Sequence, residues 1–308
     1  MITALGGGVG AAKFLEGLCC KIQSEHINII VNTGDDIKLG GLSISPDVDT
    51  IIYRLSGVVD RKKGWGIQGD TFNFLNSLKR FGLETWFNIG DQDIATHIYR
   101  THLKSKGFTA TQIASKIARA YGVPDNINVL PMTDQEVETW IHTDEGEMHF
   151  QEYLVKRRMR PEVCKVSVRN IDNAEAAPGV LESIRDCRAV IICPSNPIIS
   201  IGPILQVKAI REALKRTQAK IVAISPLVGG APLKGPADRL MRGLGLDVTS
   251  VQIARLYSDF LDTMVIDIKD EHENKDIEDL GLSTLVTDTV MTNKEKSSKL
   301  ASSILELL

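Results

Sequence analysis

The sequence predicts an α/β fold: a Rossmann-like, doubly wound, mostly parallel sheet with an inserted helical and antiparallel lobe. Three observations carry this. An apolar run at residues 2–5 passes straight into a glycine cluster and a helical pattern. The same rhythm of apolar strand, polar turn, helix and strand returns at residues 189–224. Between the two lies a stretch that is helical first and strand-like afterwards. Strands that are apolar throughout, rather than alternating, are covered on both faces, and that is how parallel sheets are built. We read residues 1–308 as a single Rossmann-like domain and residues 70–170 as a substrate-binding lobe inserted within it.

The elements follow in order. Ile2-Thr3-Ala4-Leu5 is the first strand, and Gly6-Gly7-Gly8-Val9-Gly10 breaks it. Residues 11–20 have helical spacing, with Phe14, Leu15 and Leu18 on one face. Residues 27–31 form a second buried strand, followed by the polar turn Asn32-Thr33-Gly34-Asp35-Asp36. Residues 70–121 are mostly helical in pattern and end at Gly122-Val123-Pro124. Strands are expected at 127–130, 138–142 and 147–150, the last two separated by Asp144-Glu145-Gly146. A strand at 189–193 meets the turn Pro194-Ser195-Asn196-Pro197, then a helix over 202–215 and a strand over 220–224. The tail holds further segments at 248–253, 263–268 and 283–286 and a final helix from Lys294.

Composition narrows the function. With 36 basic and 39 acidic residues the net charge is −3, without the basic excess of a dedicated nucleic-acid binder. Aromatic residues make up 5%, too few for a base-stacking platform. No apolar run reaches the ~18 residues of a spanning helix, and no signal peptide is expected, so we place the protein in the cytoplasm, off the membrane. Five cysteines without a C-x-x-C give neither a disulfide framework nor a zinc site.

The chemistry is expected in the loops. Closely spaced glycines let a backbone approach an anion, and the helix behind them offers free N–H groups and a positive dipole. Gly7, Gly8 and Gly10, with Lys13 in the first turn, are therefore candidates for nucleotide phosphate. The pattern is not G-x-x-x-x-G-K-[ST], so it is no P-loop. Ser195 and Asn196, held between two prolines, offer a hydroxyl and an amide to a phosphate or a base edge. Carboxylates gather where the ligand crevice of an open α/β sheet lies: Asp35 and Asp36, Asp47 and Asp49, Asp91 and Asp93. Hard oxygens beside phosphate suit Mg²⁺, and Asp35, Asp36 and Asp49 are the candidate ligands. Helix capping competes for each of them; Asp47 and Asp91 read more as caps than as ligands. His97 stands four residues after Asp93 and can share its helical face, as a general base or as a satisfied structural histidine.

Taken together, the glycine cluster, Asn32–Asp36, Ser45-Pro46-Asp47-Val48-Asp49-Thr50, Gly90-Asp91-Gln92-Asp93-Ile94-Ala95-Thr96-His97, Pro194–Pro197 and the loop Ser225–Pro236 occur in the order seen in 2-phospho-L-lactate transferases, which the chain resembles over nearly its whole length. Trp65-Gly66-Ile67 and Met148-His149-Phe150-Gln151 are similar too. The resemblance implies a reaction of coenzyme F420 biosynthesis. The ribityl hydroxyl of 7,8-didemethyl-8-hydroxy-5-deazariboflavin (Fo) attacks the β-phosphorus of lactyl-diphospho-guanosine. GMP leaves and the Fo phosphodiester forms, with Mg²⁺ present. It also implies that Asp49 anchors the ribityl chain or the metal as catalytic group, and that the 88–93 loop borders Fo, with Asn88 as a contact; Asp93 and His97 are further candidates for Fo. The family pattern has basic residues near 88 and at 92; this chain has Asn88 and Gln92, so charge stabilisation is not carried over to that loop. A homodimer is the expected assembly.

Two other readings compete. A nucleotide-sugar-binding regulator of the same superfamily would share the glycine loop and the Ser-Asn-Pro turn, but not the need for the 47–50 and 91–97 segments. An NAD-dependent oxidoreductase would want a ribose-binding acid at the end of the second strand, where this chain has Val31-Asn32-Thr33.

Overall fold

Apolar runs that are hidden on both faces set the architecture. The computed structural model describes residues 1–22 and 24–308. Its strands, in chain order, are β1 (Ile2–Gly6), β2 (Ile27–Val31), β3 (Ile37–Leu39), β4 (Leu42–Ile44), β5 (Ile127–Pro131), β6 (Glu138–Thr143), β7 (Gly146–His149), β8 (Val163–Arg169), β9 (Ala189–Ile192), β10 (Lys220–Ile224), β11 (Thr263–Asp267) and β12 (Ser283–Thr287). Seven of them form one sheet in the order β12-β11-β10-β9-β1-β2-β5. Every pair in that sheet is parallel, with Ile2 beside Ile27 on one side of β1 and beside Ala189 on the other. Every residue of β1, β2, β9 and β11 is buried, the polar Thr3, Asn28, Thr263 and Asp267 included, as in parallel strands covered on both faces.

Helices cover both faces. On one side lie α1 (Gly8–Lys21), α2 (Pro46–Leu55) and the C-terminal helix Lys294–Leu305, whose Leu300, Ala301 and Ile304 join Phe14, Leu15 and Leu18 in one core. Full burial of each such side chain is worth about 1.5–3 kcal/mol. Gly17 permits the close approach of α1 to this last helix, since a Cβ there would lie 2.3 Å from the Ser297 carbonyl carbon. A second core on the opposite face is built on Val180, Ile184, Ile204, Ile210 and Met241.

Residues 70–170 contribute α3 (Asn73–Leu78), α4 (Asp93–Ser105) and α5 (Ala110–Ala120), then β5 at the edge of the main sheet, then an antiparallel sheet β7-β6-β8. Two features depart from the sequence expectation. The helix over 202–215 is two helices, Ile201–Gln206 and Lys208–Arg216, because Val207 adopts extended dihedrals and is fully buried. The segment 248–253 runs into a helix, Ser250–Tyr257, capped by the Thr249 side chain on the Gln252 N–H. No helix among the described residues is long and apolar enough to cross a membrane.

Candidate active site

The sheet order decides where a ligand can sit. Counted along the chain, the main sheet runs 3-2-1-4-5-6-7, so the direction of winding reverses between β1 and β9. In open α/β sheets the ligand crevice opens at that switch point, beyond the carboxyl ends of the strands. There the structure has a cleft of about 700 Å³, well within the range of small-molecule sites. Gly7, Gly8, Gly10, Lys13, Asp35, Asp49, Asn88, Asp93, His97, Ser195 and Asn196 all line it. Asp36 does not. It faces a smaller cavity of about 120 Å³ on the other side of the turn, where its Oδ2 accepts from the Ser45 hydroxyl at 2.7 Å.

The glycine loop joins β1 to α1. Helix α1 begins at Gly8, earlier than its apolar spacing suggests, and its N-cap residue Gly7 has no side chain to cap it; no acidic residue lies in its first turn. Those N–H groups and the helix dipole favour an anion. Burial, then the Arg54 and Lys234 charges, pulls the Lys13 ammonium below its usual value. Of these cations Lys13 and Lys234 line the cleft, while Arg54 lies behind it, paired with Glu16. Ser195 stitches the two halves of the switch point: its hydroxyl donates to the Gly7 carbonyl at 3.0 Å and lies 3.3 Å from the Gly7 N–H. Asn196 uses its Oδ1 on the Ile198 and Ile199 N–H groups at 2.9 and 3.3 Å, so its Nδ2 is the part left for a ligand. Gly10 has a packing reason of its own: a Cβ would stand 2.1 Å from the Pro194 carbonyl oxygen.

The carboxylates separate into two groups, because Asp47 and Asp49 lie two residues apart in the first turn of α2 and point in different directions. Asp47 turns to the glycine loop. The Asn32 Nδ2 donates to Asp47 Oδ2 at 2.9 Å and to Asp35 Oδ1 at 3.1 Å. Burial, with the Asp47 charge beside it, raises Asp35 well above the carboxylate range, and burial raises Asp47 as well. Asp47 also takes up the Gly8 N–H at the start of α1. It is a cleft residue as much as a cap.

Asp49 turns to α4. Its Oδ1 pairs with Arg100 Nη2, and its Oδ2 is buried without a hydrogen-bond partner. His97 Nδ1 lies 3.8 Å from Asp49 Oδ2, and His97 Nε2 lies 3.5 Å from Asp93 Oδ2. The Tyr53 hydroxyl donates to Asp93 Oδ1 at 2.6 Å. Burial alone would push the Asp93 carboxyl up, but the His97 ring and the Tyr53 hydroxyl hold it below its ordinary value. Neither Asp49 nor Asp93 caps its own helix; a crossed pair of carboxylates caps α4 and α3 instead. Asp70 accepts from the Gln92 and Asp93 N–H groups at 2.7 and 3.0 Å. Asp91, a cap as expected, accepts from those of Asn73 and Phe74 at 3.1 and 2.8 Å.

Sequence reasoning missed Arg100, Tyr53 and the bridging role of Asn32. Spacing held the signal: Asp93, His97 and Arg100 stand at i, i+4 and i+7, and Asp49 and Tyr53 at i and i+4, so each set shares a helix face. The cleft also has an apolar wall, made by Phe87, Phe150, Leu154 and Met159, the last reached through a π-helical turn, Glu152–Lys156, and two left-handed residues, Arg158 and Met159. Such a wall suits a flat aromatic ligand with a few polar anchors. Trp65 lines the cleft beside Gly64, which packs on Val9 of the glycine loop.

Residues 2–304 match the family model described as 2-phospho-L-lactate transferase CofD. The chain is 41% identical over 300 residues to the 2-phospho-L-lactate transferase of Methanosarcina mazei, covering 97% of this chain and 98% of that protein. It is 36% identical over 313 residues to the phosphoenolpyruvate transferase of Kitasatospora aureofaciens, covering 99% and 97%. A solved structure of a upf0052 family member from Bacillus halodurans superposes with a TM-score of 0.63 over 99% of this chain and 98% of that one, at 17% identity, a likeness of fold. The chain belongs to the 2-phospho-L-lactate transferase family.

Proposed function

We propose that this transferase moves the 2-phospholactate moiety of lactyl-diphospho-guanosine to Fo, giving the Fo phosphodiester and GMP. One observation carries the reading. Asp49 lines the cleft with a buried, unpartnered carboxylate oxygen, in the same cavity as the N-terminus of α1 and Lys13. In this reading the guanosine diphosphate lies over the glycine loop and the deazaflavin ring lies against the apolar wall. Asp49 orients the ribityl hydroxyl and takes its proton as the oxygen bonds to the β-phosphorus and the bond to GMP breaks. Asn88, on the wall, contacts Fo.

The residues fit a divalent cation. Asp35 and Asp47 are buried carboxylates sharing one amide, Asn32, at the end of the cleft that favours phosphate. Among the described residues no cluster of three or more His, Cys, Asp or Glu side chains is placed to hold a metal, and Mg²⁺ ordinarily takes one or two carboxylates plus substrate phosphates. Asp35 and Asp47 would hold it. Asp36 faces away, and Asp49 turns to α4, where the Arg100 guanidinium already balances its charge. Bound there, Mg²⁺ would neutralise charge on the diphosphate.

The test is a steady-state assay of phosphodiester formation from Fo with the lactyl and the enolpyruvyl donor, across Mg²⁺ concentrations, since relatives of both names match the chain. Asp49→Asn is expected to lose at least about a hundredfold in kcat. A variant as fast as the parent would remove Asp49 from the chemistry, and no turnover of either donor would remove the reading.

A further inference from the structure

Two groups in the cleft have the chemistry to accept the proton of an attacking hydroxyl, Asp49 and His97. We propose that Arg100 chooses between them. It is a positioning residue that fixes the rotamer of Asp49 and the tautomer of His97 together, leaving Asp49 Oδ2 as the one acceptor of the pair without a partner. This rests on the reading of the reaction given above.

The geometry is that of a fork. Arg100 is buried, 5% exposed, on the same face of α4 as His97. Its Nη2 donates to Asp49 Oδ1, and its Nη1 lies 3.2 Å from His97 Nδ1. A guanidinium has five N–H donors and no acceptor. The Nδ1 atom facing it must therefore carry the lone pair, which places the imidazole hydrogen on Nε2. That hydrogen faces Asp93 Oδ2 at 3.5 Å, while the other Asp93 oxygen is held by Tyr53. Nδ1 is thus engaged by Arg100, while Nε2 makes no hydrogen bond and has the Asp93 carboxylate as its neighbour. A proton added to Nδ1 would set one N–H against another across a buried contact. Asp49 is the opposite case: Arg100 takes one oxygen and the second has no partner. Without Arg100, His97 Nδ1 would carry a hydrogen toward Asp49, 3.8 Å away. The pair would then become a histidine base oriented by a carboxylate, the arrangement of serine hydrolases. The tautomer therefore separates two chemistries in one cleft.

The tautomer can be read without turnover. Long-range ¹H–¹⁵N correlation spectra of the full chain with ¹⁵N-labelled histidine, His97 assigned by its loss in His97→Gln, should show a bare Nδ1 and a protonated Nε2. A hydrogen on Nδ1, alone or with one on Nε2, overturns the proposal. Arg100→Lys keeps a positive charge for Asp49 but cannot reach both partners. It should shift the His97 nitrogen signals toward a tautomer mixture and lower kcat at least about tenfold, with KM for Fo and donor changed by less than about threefold. Unchanged His97 signals and an unchanged kcat in that variant would also overturn it. The spectrum of the unliganded protein does not depend on which donor or acceptor is used, so failure of the proposed reaction and failure of this tautomer assignment are separate results.

Discussion

Gly7 and Gly8 are neighbours in the loop, yet alanine at each should fail in a different way. Gly7 has an extended backbone, with φ −159°, that any residue can adopt, so alanine brings no backbone strain. Its Cβ, however, would stand 2.0 Å from Asp47 Oδ2 and 2.7 Å from Asp47 Cγ. To regain van der Waals distance the carboxylate must retreat by more than about 1 Å, which breaks the 2.9 Å bond from Asn32. A hydrogen bond to a charged group contributes about 1.5–3 kcal/mol, and a misplacement of about 1 Å in a positioning group costs on the order of a hundredfold in rate. Gly8 is the reverse. Its φ of +73° lies in the left-handed region, and a Cβ would meet nothing nearer than Asp47 Oδ1 at 3.6 Å. Alanine there costs about 1–2 kcal/mol of backbone strain and leaves the carboxylate where it is. The expectation is therefore that Gly7→Ala loses about a hundredfold in kcat/KM and weakens binding of GDP with Mg²⁺. Gly8→Ala should lower Tm by a few degrees and bind nearly as the parent does. Calorimetric titration and thermal unfolding of both variants decide it. Parental binding and turnover in Gly7→Ala would refute the placing of Asp47 at the ligand, and equal losses in both variants would refute the division between them.

Four further outcomes follow from the structure. Burial pushes Asp36 up to about 7 and raises the Asp35–Asp47 pair. A carboxyl raised in the folded state contributes stability that is present below its unfolded value and lost as pH rises through its folded one. The unliganded protein should thus lose stability between about pH 4 and 7, by at most roughly 4 kcal/mol from Asp36 at about 1.4 kcal/mol per pH unit. Mg²⁺ should raise Tm more at pH 8 than at pH 5, and equal rises would remove the pair from the metal site. Asn196→Asp keeps the oxygen that accepts from Ile198 and Ile199 but replaces the Nδ2 donor by a charge. GDP affinity should fall on the order of tenfold with little change in Tm, whereas intact affinity would leave Asn196 a turn residue only. Far from the cleft, Glu25 is held down to about 2, chiefly by Arg188, which reaches it at 2.8 and 3.1 Å, and by the N-terminal ammonium. Its contribution is present above its ordinary value near 4.5 and lost as pH falls toward 2. Glu25→Gln should therefore flatten the acid limb of the stability curve; an unaltered limb would refute it.

Elements were legible where one local rule was enough. β1, β2, β9 and β10 are apolar runs bounded by breakers, and being buried on both faces leaves no other pattern open to them. The hairpin β3–β4 was not legible, since three-residue strands made of Ile37-Lys38-Leu39 and Leu42-Ser43-Ile44 carry too few positions to show a period. The break at Val207 was hidden for another reason. Nothing in the local sequence forbids a continuous helix there, and the break shows only in the fold, where Val207 takes extended dihedrals with its side chain fully buried.

The site shows the same division between local and distant causes. Asp35 and Asp36 are neighbours in sequence, but the turn sends one into the cleft and the other behind it, which only the backbone path decides. Ser195 and Gly7 are 188 positions apart and become partners because β9 lies beside β1 in the sheet. Once that order is known, the polar turn after β9 has to face the glycine loop across the switch point. At the end of β2, where a dinucleotide-binding sheet would carry an acid for ribose, stands Asn32. It is fully buried, with its Nδ2 against Asp35, Asp47 and the Ile199 carbonyl at 3.1, 2.9 and 3.1 Å. An amide held this way cannot receive a ribose hydroxyl. It organises two carboxylates at the phosphate end instead, and so the strand order of a dinucleotide-binding fold carries the site of a transferase.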